Sequence, residues 1–437
     1  LLLLRRKLKR SQPAWLSRDV WRRRVVFWAG AGVTGLVSVA FAYAADQAQS
    51  LFHLVSSQAF WVPLILTPLG FMLCAHLART VFPGSAGSGI QHAIAACEMT
   101  DEAARNKLLS LRVAFGKILL TLVGIASGGS IGREGPTVQV GAAIMLKVGQ
   151  IGGADRARGL ILAGSAAGIS AAFNAPLAGI VFAIEEMSRS FETKTSGLVL
   201  SAVILAGLVS LGLVGNYNYF GQASGHVVGL QGWVMVGLCG VFGGLFGALF
   251  GRLMLWSTQA IRRWTSEMTL LRTLVIAGSC GLVVALIGLA SGGITFGTGY
   301  EHARLAIEGE TLPWYFAPAK FIATLLSSIS GIPGGIFAPS LAVGTGLGSL
   351  FALALGGTAG IAALLGMTGY FAGVVQAPIT AFVIILEMTG NNSDVIPIMC
   401  ASVLGYGVSN LIMPQSLYHG LAESLMHKNL TETTLRN

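Results

Sequence analysis

Charge is what this sequence has least of: Asp, Glu, Lys and Arg make up 11% of its 437 residues, where a soluble domain carries about 25%. The little there is gathers at the two ends and in short loops, which leaves no room for a large soluble domain. Cysteine is sparse too. Cys74, Cys97, Cys239, Cys280 and Cys400 are odd in number and far apart, without a C-x-x-C pair or His/Cys ligand spacing. That excludes a disulfide framework and structural zinc, and they read as small buried hydrophobes. The seven histidines show no metal spacing, and no Ser/His/Asp set or H-E-x-x-H occurs, so the residues do not describe an enzyme. An intramembrane enzyme working through Glu134 or the Glu185 and Glu186 pair would lack both nucleophile and metal. Leu1 to Leu4 is too short for the apolar core of a signal peptide. Because the chain opens on Leu1 rather than Met, it is expected to begin inside a longer sequence.

What is present is hydrophobic: 54% of residues, with a mean hydropathy of +0.72. A polytopic membrane protein follows. Runs of membrane length are Val25 to Ala45, Phe60 to Ala78, Leu198 to Val214, Trp233 to Trp256, Leu274 to Ala290 and Ile396 to Ile412. Shorter pieces broken by Gly, Pro or Ser lie between them, among them Pro136 to Val148, Pro176 to Met187, Pro339 to Leu355 and Pro378 to Met388. Broken helices at membrane depth occur where protein or a polar cavity covers the exposed backbone. Arg5, Arg6, Lys7, Lys9, Arg10 and the arginines up to Arg24 precede the first run. By the positive-inside rule they place residues 1–24 in the cytoplasm, and a nucleic-acid arm is rejected. Gly30 to Gly35 matches G-x-G-x-x-G but has no preceding strand and no acidic residue about 20 positions on, so no nucleotide site is expected. Gly240 with Gly244, and Gly243 with Gly247 and Gly251, predict close helix packing.

One stretch spends charge where it is costly. Ser127 to Pro136 reads S-G-G-S-I-G-R-E-G-P, with Arg133 and Glu134 adjacent in an apolar setting where each costs about 2.5–3.5 kcal/mol. The glycines suggest a broken helix that restarts at Pro136 as first helical residue, presenting free N–H groups to an anion.

The same architecture recurs further along. Ala114 to Lys117 returns as Ala317 to Lys320, Ser127 to Pro136 as Ser330 to Pro339, and Asn174-Ala-Pro with Glu185 as Gln376-Ala-Pro with Glu387. The chain is therefore divided into repeats 25–220 and 221–410, followed by a C-terminal helix and tail, 411–437. Paired halves with interrupted segments point to a secondary transporter whose substrate sits near the midplane. Three half-helix N-termini facing one point, each worth about +0.5 charge, would hold an anion by backbone alone, without a buried lysine.

Single residues remain ambiguous at this level. A carboxylate at Glu134 beside an anion is disfavoured in its charged form by repulsion and desolvation, so a proton can open it as a gate; the plainer alternative is a helix-start charge. Glu186, facing Met388 in the repeat, looks like an asymmetric functional residue, although Glu185 and Glu186 can also be read as solvated helix-end charges. Ser88 is either an N-cap or an anion donor, Tyr418 either an interface tyrosine or a pathway residue. His92 is read as incidental.

Together, Gly87-Ser-Gly-Ile90, Gly132-Arg-Glu-Gly-Pro136, Gly335-Ile-Phe-Ala-Pro339, Tyr418, and Asn174-Ala-Pro-Leu-Ala-Gly179 leading to Glu185-Glu-Met187 resemble the CLC family of chloride channels and proton-coupled chloride transporters. The resemblance covers roughly residues 25–425. It implies an all-α membrane fold of two inverted repeats with broken helices, forming a homodimer in the bilayer. It also implies chloride bound as substrate by Ser88, Tyr418 and the N–H groups of Ile336 and Phe337, with no other cofactor. Glu134 would be the gating glutamate and Glu186 the internal proton-transfer glutamate, which favours a proton-coupled antiporter over a passive voltage- or pH-gated channel. The chain ends soon after Tyr418, without the paired nucleotide-binding domains of many eukaryotic relatives, so a prokaryotic plasma membrane is expected. One departure is visible: Gln91 replaces the usual proline, which is expected to loosen the turn at Ser88.

Overall fold

The computed structural model describes residues 18–153, 157–188, 193–215, 218–265 and 270–434. The basic cluster from Arg5 to Arg10, and Arg189, lie outside the described residues. The first half holds α1 (Arg18–Ser56), α2 (Val62–Thr80), α3 (Ile90–Glu98), α4 (Glu102–Leu108), α5 (Leu111–Ala126), α6 (Glu134–Gly152), α7 (Ala157–Phe173), α8 (Pro176–Phe182) with a π-helical turn after it (Ala183–Ser188), and α9 (Thr193–Val214). The second holds α10 (Gly229–Thr265), α11 (Leu270–Ala290), α12 (Tyr300–Glu308), α13 (Phe316–Ile329), α14 (Phe337–Leu355), α15 (Ala359–Val375), α16 (Pro378–Thr389) and α17 (Val395–Ile412), with α18 (Leu417–Thr434) closing the chain.

Among the described residues, eight helical stretches are long and apolar enough to cross a membrane, and the six expected spans fall on six of them. A seventh, α14, corrects an expectation. It starts at Phe337 rather than Pro339 and so reaches 19 residues, long enough to cross. Likewise α6 starts at Glu134, two residues before Pro136. Proline fits inside the first turn because the first four N–H groups of a helix have no intrahelical partner to lose.

Small residues let these helices touch backbone to backbone. An added Cβ at Gly141 would stand 2.3 Å from the Gly164 carbonyl oxygen, where α6 crosses α7. At Gly348 it would stand 1.9 Å from the Ala362 oxygen, where α14 crosses α15. The glycine series on α10 behaves as its spacing predicts, Gly243 and Gly247 meeting the backbone at Gly369 and Gly373 of α15.

Each half completes helix starts in the other. Glu387, at the end of α16, accepts from the N–H groups of Leu177 (3.0 Å) and Ala178 (2.7 Å) in the first turn of α8. Glu185, in the π-helical turn that follows α8, accepts from Ile379 (3.1 Å) and Thr380 (2.6 Å) in the first turn of α16. This settles Glu185: it is a cross-repeat cap, not a solvated helix-end charge. Glu387→Ala would leave two amides unpaired, at about 1–3 kcal/mol for each one buried. The melting temperature in detergent is expected to fall well below that of the exposed Glu310→Ala control; equal values would show that the cap carries no stability.

The two ends of the molecule differ in charge. At one end Arg79 bonds Thr273, Arg112 donates to the Val81 carbonyl at 2.9 Å, and Arg262 to Ser424 at 2.9 Å. The opposite end carries Asp46, Glu301, Glu308 and Asp394, with Asp394 holding His226 at 2.9 Å and the Val227 N–H at 2.9 Å.

Candidate functional site

Several helix starts are closed by side chains. Asp101 accepts from Ala103 and Ala104 at α4, Ser110 accepts from Val113 at α5, and the two glutamates close α8 and α16. Three further starts meet at the centre. The residues in the N-cap position of α3, α6 and α14, namely Gly89, Arg133 and Ile336, supply no side-chain cap, and the Gly89 N–H is taken by Gln91 instead. A buried helix start with free N–H groups is a ready anion site.

Backbone pairing holds these starts together. Gly132 and Gly335 exchange two hydrogen bonds of 2.7 Å, while Gly87 donates to Ile332 (3.2 Å) and accepts from Gly334 (3.1 Å). The two glycine-rich breaks and the Ser88 loop are thus one unit. Within α6 the first return bond runs from Thr137 to Arg133, and within α14 from Ser340 to Ile336, so the amides ahead of each proline lie beyond the helical ladder.

The predicted residues meet here. Ser88 Oγ would be 2.3 Å from a Cβ added to Gly135, placing the hydroxyl against the first turn of α6. Tyr418, second residue of α18, faces Ser88, and its ring lies 5.9 Å from that of Phe337. Glu134, fully buried, folds its carboxylate over Gly132 toward the first turn of α14, facing the N–H groups of Glu134 and Ala338. Among the described residues, Ser88 Oγ, Tyr418 Oη and both Glu134 oxygens are buried and close no hydrogen bond. Ile336 and Phe337 are buried at the start of α14, with Phe337 packed on Phe371 at 4.8 Å. Glu186 is set apart from this group, buried in the π-helical turn beside His419, whose Nδ1 lies 3.8 Å from Glu186 Oε1.

One expectation changes. Gln91 does not loosen the Ser88 turn: it is buried, and its Oε1 accepts from the Gly89 N–H at 3.2 Å, tying the turn through its side chain. Among the described residues two lysines are buried, but both donate to backbone carbonyls rather than to the anion centre. Lys117 donates to Gly87 (2.8 Å) and Ala86 (3.3 Å), Lys320 to Gly297 (2.7 Å) and Thr295 (2.9 Å), so each straps a glycine loop through its carbonyls. Arg133, the basic exception in the glycine breaks, turns away from the centre to Asp46 (2.8 Å), the Ala42 carbonyl and Tyr219 (3.4 Å). Sequence reading assigned nothing to Asp46, Tyr219 or His419. For the lysines a signal existed, since the repeated Ala-x-x-Lys marks both.

Fold and site define a class: a polytopic membrane protein whose interrupted helices converge on a buried centre suited to an anion. Residues 70–410 match the family model described as "Voltage gated chloride channel", and the chain belongs to that family. It is 31% identical to the H(+)/Cl(-) exchange transporter ClcA of Yersinia pestis bv. Antiqua (strain Angola), over 92% of this chain and 88% of the relative. The same identity holds for the ClcA of Salmonella agona (strain SL483), over 97% and 93%. Among solved structures, a slow cyanobacterial Cl-/H+ antiporter matches with a TM-score of 0.80 at 24% identity, covering 93% of this chain and 98% of that one. A CLC-type fluoride/proton antiporter matches at 0.77 and 21%, covering 91% and 96%. These structural likenesses establish the shared fold.

Proposed function

We propose that the protein is a proton-coupled chloride antiporter, exchanging Cl− for H+ across the membrane. The observation that carries this is the convergence of three helix starts, whose N-cap residues supply no side-chain cap, on buried Ser88, Tyr418 and Glu134, whose side-chain oxygens close no hydrogen bond among the described residues. Chloride, an anion needing donors and no proton chemistry of its own, suits two hydroxyls and the amides at Ile336 and Phe337. Glu134 competes with it for those amides when charged and withdraws when protonated. Glu186 serves as the inner proton station, and the exchangers named among the relatives favour this reading over a passive channel.

In this reading the repeats 25–220 and 221–410 meet at the anion, and the end bearing Arg79, Arg112 and Arg262 faces the cytoplasm with the basic N-terminal segment. A homodimer in a prokaryotic plasma membrane fits the exposed apolar faces of α9 (Leu200, Ile204, Leu208) and α17 (Ile396, Met399, Val403), which suit lipid or a second copy. In proteoliposomes a chloride gradient should drive protons uphill. Glu186→Gln should lower proton movement by about 100-fold, the scale of one positioned proton-transfer group, with chloride flux persisting. A wild type that transports chloride with a reversal potential indifferent to pH would overturn the antiporter in favour of the channel.

A further inference from the structure

We propose that His419 carries protons between the water at the basic end of the molecule and Glu186, a role that rests on the exchange reading above. Glu186 is poorly placed to meet water: its side chain is 3% exposed, whereas that of His419 is 12% exposed. The imidazole thus stands on the wetter side of the carboxylate, with Nδ1 3.8 Å from Oε1. That gap exceeds a hydrogen bond, and one water or a small ring rotation bridges it. Ser416 Oγ, 3.1 Å from the same nitrogen, holds the ring in place.

The helix carries the path outward. Glu423 lies four residues beyond His419, so the two share a face of α18, and Glu423 is exposed and bound to Gln415 at 2.6 Å. Other charged or titratable groups on the helices packed against α18 are Arg252, Arg262 and Arg263 of α10, Arg262 donating to the Ser424 carbonyl, Glu98 and His92 of α3, with Lys117 of α5 behind His92, and Tyr370 of α15. Imidazole is the side chain that takes up and releases a proton near neutral pH. In the step proposed, the neutral ring takes one proton from water to become imidazolium. The proton on Nδ1 then passes to Glu186 Oε1, leaving a neutral ring and a neutral carboxylic acid. Run backwards, the same step discharges the inner station.

The test measures chloride and proton flux in one proteoliposome preparation for wild type, His419→Ala and the closer-sized His419→Gln. Both variants are expected to lose proton flux by on the order of tenfold or more, to keep chloride flux, and to regain proton flux when free imidazole is supplied in the bath. Proton flux equal to wild type in a variant, or both fluxes falling together without imidazole rescue, would overturn the role and leave the antiporter reading standing. A wild type that moves no protons would end both.

Discussion

Glu134→Ala is expected to abolish uphill proton movement while chloride still crosses. The side chain is fully buried over Gly132 and faces the amides of Glu134 and Ala338 without closing a bond to either. A proton on the carboxylate would weaken its attraction to those two N–H groups. Its neighbour does not neutralise it by contact, because the Arg133 guanidinium is directed at Asp46. Removing the carboxylate takes away the acid that takes up and releases a proton at the anion centre, and the expected loss of proton flux is on the order of 100-fold or more, as for other positioned proton-transfer groups. Glu134→Gln, which mimics the protonated form, should behave alike and make chloride flux indifferent to pH. Parallel measurement of chloride efflux and proton uptake decides the matter: proton pumping that survives either substitution would remove Glu134 from the mechanism.

The largest effect on folding is expected from Gly348→Val. A Cβ there would sit 1.9 Å from the Ala362 oxygen and 2.6 Å from its carbonyl carbon, both backbone atoms of α15 that no rotamer change can move aside. A Cβ added at Gly366, across the same contact, would likewise run into the Gly348 backbone nitrogen, so neither helix has room to yield. Overpacking of close-packed sites costs about 1–3 kcal/mol and sometimes more, and this site should lie at the top of that range. Since α14 carries the Phe337 start, the anion centre would be displaced with it. Gly407→Val is the control, as nothing lies within 4 Å of a Cβ at that position. Monodisperse yield in detergent should collapse for Gly348→Val and survive for Gly407→Val; comparable yields would mean the crossing is slack.

What sequence revealed and what it hid separate by range. The break at Ser127 to Pro136 was visible because charge and glycine in an apolar run are local signals, and its recurrence at Ser330 to Pro339 exposed the shared backbone role. The helix starts were placed two residues late, since proline marks a first turn without fixing which position in it. Glu185 and Glu387 were recognised as counterparts, yet not as caps, because each closes a helix in the other half. Gln91 was judged from its backbone N–H alone, while its side chain does the tying. Asp46 and His419 carry no motif, and their relation to Arg133 and Glu186 exists only across distances that periodicity does not report.

The exchanged caps also impose an order on biosynthesis. The amides of Leu177 and Ala178 are made early, but their acceptor lies 210 and 209 residues downstream at Glu387. Until α16 has entered the membrane, the start of α8 must find interim partners in water, lipid headgroups or the insertion machinery. A nascent first half is thus an incomplete object awaiting its counterpart, and ribosomal pausing or truncation between the halves would leave it exposed to quality control rather than parked in a stable fold.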